Sequence, residues 1–235
     1  MKTSRRNFIG NTFIGGASAL IATTVGQPLW AAQQKAAETP KPKEKEEDED
    51  VSANEDLMRE HGVLNRILLI YDEGLRRIQA KEKFDLEIIG KSAGLITRFI
   101  EDYHEKIEEN HIFPRFEQAG KMIELTVNLR AQHAMGRRVT ERIAASVKTI
   151  DLPAMSTALA AFVRMYRPHE AREDTVLFPA LHKLVSPHEY DAMGEQFEAI
   201  ERKTFGGDGF DMAVDQVTDL EKQFGIYDIS QFTPK

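Results

Sequence analysis

Two stretches of this chain carry one motif written twice. HEKIEENHIFP runs from His104 to Pro114, and HEAREDTVLFP runs from His169 to Pro179. They align without a gap. His-Glu opens both, a Glu falls four residues after each His (Glu108, Glu173), and Phe-Pro closes both (Phe113-Pro114, Phe178-Pro179). On a helix, residues four apart share a face. Each copy therefore presents one imidazole and one carboxylate side by side. Two copies facing each other across a bundle would form a cage of nitrogen and oxygen ligands, which suits a pair of iron or manganese ions.

The pattern extends upstream of each copy. His61 lies in MREHGVLNRI and His133 in RAQHAMGRRV, and an Arg follows each at the same distance (Arg66, Arg138). The order is single His, HxxxE, single His, HxxxE. Four helices could point His61, His104, His133 and His169 inward, with Glu108 and Glu173. One such His alone would more often be a hydrogen-bonded core residue; six matched positions in a repeat favour ligation.

From Asn54 to Leu184 the chain resembles the hemerythrin-like, HHE cation-binding family. The carriers are Glu60-His61, the two HxxxE copies with their Phe-Pro ends, and Gln132-His133. The resemblance implies a metal site made of His61, His104, Glu108, His133, His169 and Glu173. It implies two non-haem iron ions, with manganese as the other option, and a small ligand such as dioxygen, peroxide or nitric oxide. The chain departs from the oxygen-carrying members, which have HxxxH on the third helix. Arg137 stands where that second His would be. They also place an Asp five residues after the last His; Asp174 is there, but Glu173 matches the internal repeat better. With one imidazole fewer, simple reversible oxygen carriage is not expected. Arg137 is expected to turn outward into water, since two cations would repel it.

Other polar residues have plainer readings. Glu105 and Glu170 follow a ligand His by one position, so they point about 100° away on the helix and are expected to be solvated or to support an imidazole. His111 shares a face with His104 but has Val176 as its repeat counterpart, which makes it a bundle-end residue. His182 and His188 are expected at the surface, and the two Phe-Pro pairs as packing and helix-end features.

Composition narrows the classes. The chain has 235 residues and no cysteine, so disulfides, zinc ribbons and iron–sulfur clusters are excluded. A net charge of −7 argues against nucleic acid or an anionic membrane surface as partner. No phosphate loop, nucleophile elbow or dinucleotide fingerprint occurs.

These ligands need helices to hold them. Apolar residues recur at helical spacing from Glu55 to Gln79 (Leu57, Met58, Leu64, Leu68, Leu75). A second helix is predicted from Asp85 to Gln118, a third from Lys121 to Lys148, and a fourth from Asp151 to Leu184. Pro168 should bend the fourth just before His169. Ser186 to Lys203 and Asp211 to Phe224 form two more. No strand pattern appears. The expected fold is all-α: an up-down four-helix bundle over residues 55–185 with a helical C-terminal extension over 186–235.

The N-terminus looks like a targeting segment. Ser4-Arg5-Arg6-Asn7-Phe8-Ile9 is a twin-arginine pattern followed by a weakly apolar run, so residues 1–32 are expected to be a twin-arginine signal peptide. A Sec signal or an uncleaved anchor is the alternative. Residues 33–54 are charged and poor in large apolar side chains, and are expected to be a disordered linker. The predicted destination is the periplasm, with no integral membrane span in the mature chain. The function expected is small-ligand binding at a diiron site; a diiron peroxidase, oxidase or ferroxidase, or a bundle with a vestigial site, are the alternatives.

Overall fold

The computed structural model describes residues 51–234, and six helices without strands occupy that span. The expected export signal and nearly all of the expected linker lie outside the described residues. Helix α1 is Ala53–Ala80. Helix α2 runs over 86–118, and α3 is Ile123–Thr149. Helix α4 runs over 152–184, α5 is Pro187–Phe205 and α6 is Gly209–Phe224.

The ends are set by local chemistry. The Ser52 hydroxyl accepts from the Glu55 N–H, so α1 begins at Ala53, two residues earlier than the spacing predicts, with Ala53 fully buried. Asp85, Asp151, Ser186 and Asp208 cap α2, α4, α5 and α6 in the same way. Gly120 takes a positive φ of 64° between α2 and α3, a conformation that costs glycine nothing.

Short connections make successive helices antiparallel neighbours. Helix α3 packs on α4, α4 on α1, α1 on α2, and α2 on α3, which closes the bundle. Leu57, Leu64, Leu68, Ile89, Phe99, Ile143, Leu159 and Phe162 fill its axis. Met58 lies outside this stripe at 44% exposure. The extension covers one side: α6 packs on α1 and α2, and α5 on α1. Arg66 fixes it with bonds to Glu221 at 2.5 Å and Thr218 at 2.7 Å.

Two wide turns interrupt the ladder at matching places. The chain forms π turns over Glu108–Ile112 in α2 and Glu173–Leu177 in α4. In each, the Phe N–H reaches five residues back to the Glu carbonyl: Phe113 to Glu108, Phe178 to Glu173. The proline that follows has no N–H with which to restore the tighter ladder. A third π stretch, Ile96–His104, leads into the first copy. Such turns recur where helices carry functional residues. Pro168 does not interrupt its helix, which is α-helical across Leu152–Arg172. It sits on the exposed face with Arg164, whose carbonyl can turn to water, and the break comes later, at Glu173.

Candidate metal centre

Each long helix contributes one imidazole to a single point in the core: His61 from α1, His104 from α2, His133 from α3 and His169 from α4. None is more than 4% exposed. Glu108 and Glu173 lie between them and are fully buried. The Nε2 atoms of His61 and His104 are 3.0 Å apart, and those of His133 and His169 3.2 Å apart. Each carboxylate serves both pairs. Glu108 Oε2 is 3.7 Å from His104 Nε2 and 3.4 Å from His133 Nε2. Glu173 Oε2 is 3.1 Å from His169 Nε2 and 3.5 Å from His61 Nε2. The two sequence copies thus become two half-sites related by an approximate two-fold.

The outer nitrogens explain why all four rings face inward. His61 Nδ1 bonds Asp174 at 2.7 Å, and His133 Nδ1 bonds Glu109 at 3.2 Å. His104 Nδ1 bonds Glu60 at 2.8 Å, and His169 Nδ1 bonds Gln132 at 2.9 Å. Each Nδ1–H donates outward, which leaves Nε2 facing the centre, where its lone pair is the one offered to a metal. This is the tautomer a metal needs. The phenylalanines of the Phe-Pro pairs complete the clamp by stacking on the opposite copy's single His, Phe178 on His61 and Phe113 on His133.

The centre is left unsatisfied by the protein itself. Both oxygens of Glu108 and both of Glu173 are buried and receive no well-formed hydrogen bond. Buried carboxylate oxygens in this state are costly. Glu108, His133, His169 and Glu173 bring their ligand atoms within 4.8 Å of one another, and so do His61, His104 and Glu108. These groups could hold metal ions, and cations between them would satisfy every free oxygen and lone pair.

Without a cation, protons must serve. Burial and the neighbouring Glu173 charge push the Glu108 carboxyl well above its usual range, so it keeps its proton. Burial acts on Glu173 the same way, but the His169 and His61 rings outweigh it and hold that carboxyl low. His61 loses by burial and gains more from Asp174 and Glu173, which raise it to about 10. Burial, then the His61 charge, drive His104 well below its normal value.

Glu105 and Glu170 are not solvated. Glu105 is 1% exposed and accepts from the Tyr166 hydroxyl at 2.7 Å and from Arg137 at 2.6 Å. Glu170 is buried and accepts from Asn65. Neither touches an imidazole nitrogen; that role belongs to Glu60, Glu109, Gln132 and Asp174. Arg137 does not turn out into water either. Its guanidinium bridges Glu105 and Glu109, 2.8 Å from the latter, because the buried Glu105 and the partly buried Glu109 attract it more than the more distant centre repels it.

Gly136 makes room for this arrangement. A Cβ there would fall 1.9 Å from the Tyr166 hydroxyl. His111 is partly buried, its ring beside Phe197 and away from the cluster, and burial lowers its pKa. His182 and His188 are exposed as expected. No helix among the described residues is long and apolar enough to cross a membrane.

A family model described as the hemerythrin HHE cation binding domain matches residues 52–181. An uncharacterized protein of Mycobacterium tuberculosis is 53% identical over 190 residues, which cover 78% of this chain and 74% of that protein. An uncharacterized protein of Mycobacterium bovis is similar to the same extent. No solved structure matches.

Proposed function

Because the chain belongs to the hemerythrin HHE cation-binding domain family, we propose that it is a non-haem diiron protein that binds a small ligand at this centre. His61, His104, Glu108, His133, His169 and Glu173 are the proposed ligands. The supporting observation is the convergence of four inward Nε2 atoms on four buried carboxylate oxygens that receive no well-formed hydrogen bond. Iron suits the mixed nitrogen and oxygen donors, and manganese is the other ion that would fit. Bound iron would supply redox activity and coordination positions open to dioxygen, peroxide or nitric oxide.

The protein's own part is to orient and to exclude water. Glu60, Glu109, Gln132 and Asp174 fix the imidazole tautomers. Phe113 and Phe178 wall the rings. Arg137 fills the helical position where oxygen carriers have a further His, and its charge is spent on Glu105 and Glu109. This favours ligand capture, or turnover by a diiron oxidase or peroxidase, over long-lived oxygen carriage. The test is optical. Iron-loaded protein should bind nitric oxide and react with peroxide, and its dioxygen adduct should decay quickly in air. An oxygen adduct that persists for hours and releases oxygen under vacuum would overturn the reading.

The proposal extends to location and organisation. Residues 1–32 act as a twin-arginine signal, the segment from 33 to the Ser52 cap as a linker, the helices from Ala53 to 185 as the metal-binding bundle and 186–235 as its helical cover. That route exports folded protein, so metal is taken up in the cytoplasm, where availability rather than affinity selects iron over copper or zinc. Replacing Arg5 and Arg6 with Lys should keep the protein in the cytoplasm; unchanged export would contradict it.

A further inference from the structure

Behind the imidazoles, the approximate two-fold that relates the half-sites is broken at two places, and both of these breaks act in the same direction. Glu60 and Gln132 occupy equivalent positions, each just before the single His of its copy. Glu60 gives a carboxylate to His104 at 2.8 Å, whereas Gln132 gives a neutral amide oxygen to His169 at 2.9 Å. Asp174 and Glu109 are also equivalent, each just after the Glu of its motif. Asp174 bonds His61 at 2.7 Å. Glu109 bonds His133 at 3.2 Å and is shared with Arg137 at 2.8 Å and Lys106 at 2.6 Å. Asn65, the α1 counterpart of Arg137, carries no charge.

Glu108 and Glu173 each reach an imidazole of both halves, but both lie nearer the His133–His169 half, where four ligand atoms gather within 4.8 Å against three at His61–His104. The outer acceptors weigh the other way, and by full charges. A carboxylate behind an imidazole raises its basicity and draws in positive charge; an amide or an arginine-neutralised carboxylate does so less. We infer that the two half-sites fill in order, the His61–His104 half binding a divalent cation first and more tightly than the His133–His169 half. The inference rests on the metal-binding reading above and adds the identity of the tighter half.

Outer partners of metal-bound His typically change affinity by about 10- to 100-fold. A separation of at least about tenfold between the two steps is therefore expected. The probe is cobalt(II), a divalent ion that reports its ligands by absorption and by hyperfine-shifted Nδ1–H proton resonances. Metal-free full-length protein is titrated at fixed pH. Repulsion between two cations would produce two steps by itself, so near-isosteric variants decide the matter. Glu60→Gln should weaken the tight step by roughly tenfold and leave the weak one in place. Gln132→Glu should strengthen the weak step by a similar factor. At one equivalent of cobalt, the wild type should show shifted Nδ1–H resonances from His61 and His104, with the His104 signal altered by Glu60→Gln. Circular dichroism confirms that each variant folds. Shifted signals from His133 and His169 at one equivalent would overturn the order, as would variants that leave both steps unchanged. Two cobalt ions bound in one unresolved step would overturn the order while sparing the metal reading. No bound cobalt would sink that reading and this inference with it.

Discussion

Phe178 lies stacked on His61, ring centroids 5.6 Å apart and planes 20° from parallel, although one is in α4 and the other in α1. Phe113 and His133 repeat the arrangement between α2 and α3, at 5.5 Å and 27°. Each phenylalanine closes one copy of the motif and clamps the imidazole opposite. Phe178→Ala should therefore cost twice, once in core volume and once in ring order. The core loss alone is about 3–5 kcal/mol, measurable by urea unfolding of the metal-free protein. Phe178→Leu, which restores most of the volume but not the flat ring, should recover stability more fully than metal affinity. Equal recovery of both would show that the stacking has no role in holding His61.

Gly136 carries a prediction about Tyr166. The Cβ of Gly136→Ala would meet the Tyr166 hydroxyl at 1.9 Å and its ring carbon at 2.8 Å, so the ring must leave Glu105. Overpacking of this kind costs about 1–3 kcal/mol. Tyr166→Phe removes the atom in worst conflict. The double variant should be more stable than the two single losses summed, by more than the roughly 0.5 kcal/mol expected of independent sites. Strict additivity would place the strain elsewhere.

The bundle was legible in the sequence because its signals are periodic and local. Apolar spacing and the helix starts placed at Asp85, Asp151 and Ser186 located the helices to within a few residues. The six inward residues were legible because the chain states them twice, and the structure brings all six together. What escaped was what depends on neighbours distant in sequence. Glu60, Gln132 and Asp174 stand out beside the motifs, but that each of them, with Glu109, bonds an imidazole of another helix shows only once the helices pack. The fate of Arg137 turned on two carboxylates from α2 that no spacing rule connects to α3. The π turns were hidden because Phe-Pro reads equally well as a helix end, and Pro168 reads as a bend although its exposed position lets the helix continue.

Protons and metal should compete at this centre. The metal-free protein keeps a proton on Glu108 and another on His61, which is raised to about 10. Binding two divalent ions at pH 7 should release both, as read by calorimetry in buffers of different ionisation enthalpy. The same shifts set the pH dependence of stability. His61 binds its proton more tightly folded than unfolded, so its contribution is complete below pH 6.5 and is lost as pH rises to about 10. Glu170, raised to about 8 by burial, acts in the same direction over the lower part of that range. Metal-free protein should therefore melt at falling temperature between pH 6.5 and 10. In the loaded protein His61 has already given up its proton, so the gap between the two should widen. A gap that narrows with rising pH would contradict the proton assignments.

The most direct measurement is metal per chain after anaerobic loading with ferrous iron and removal of excess. Full-length protein should retain two iron ions per chain. Combined Glu108→Ala and Glu173→Ala substitution, which removes the carboxylates serving both halves, should retain almost none while keeping its helicity. Trace metal in the wild type, or two ions retained without both carboxylates, would show that these six residues are not the site.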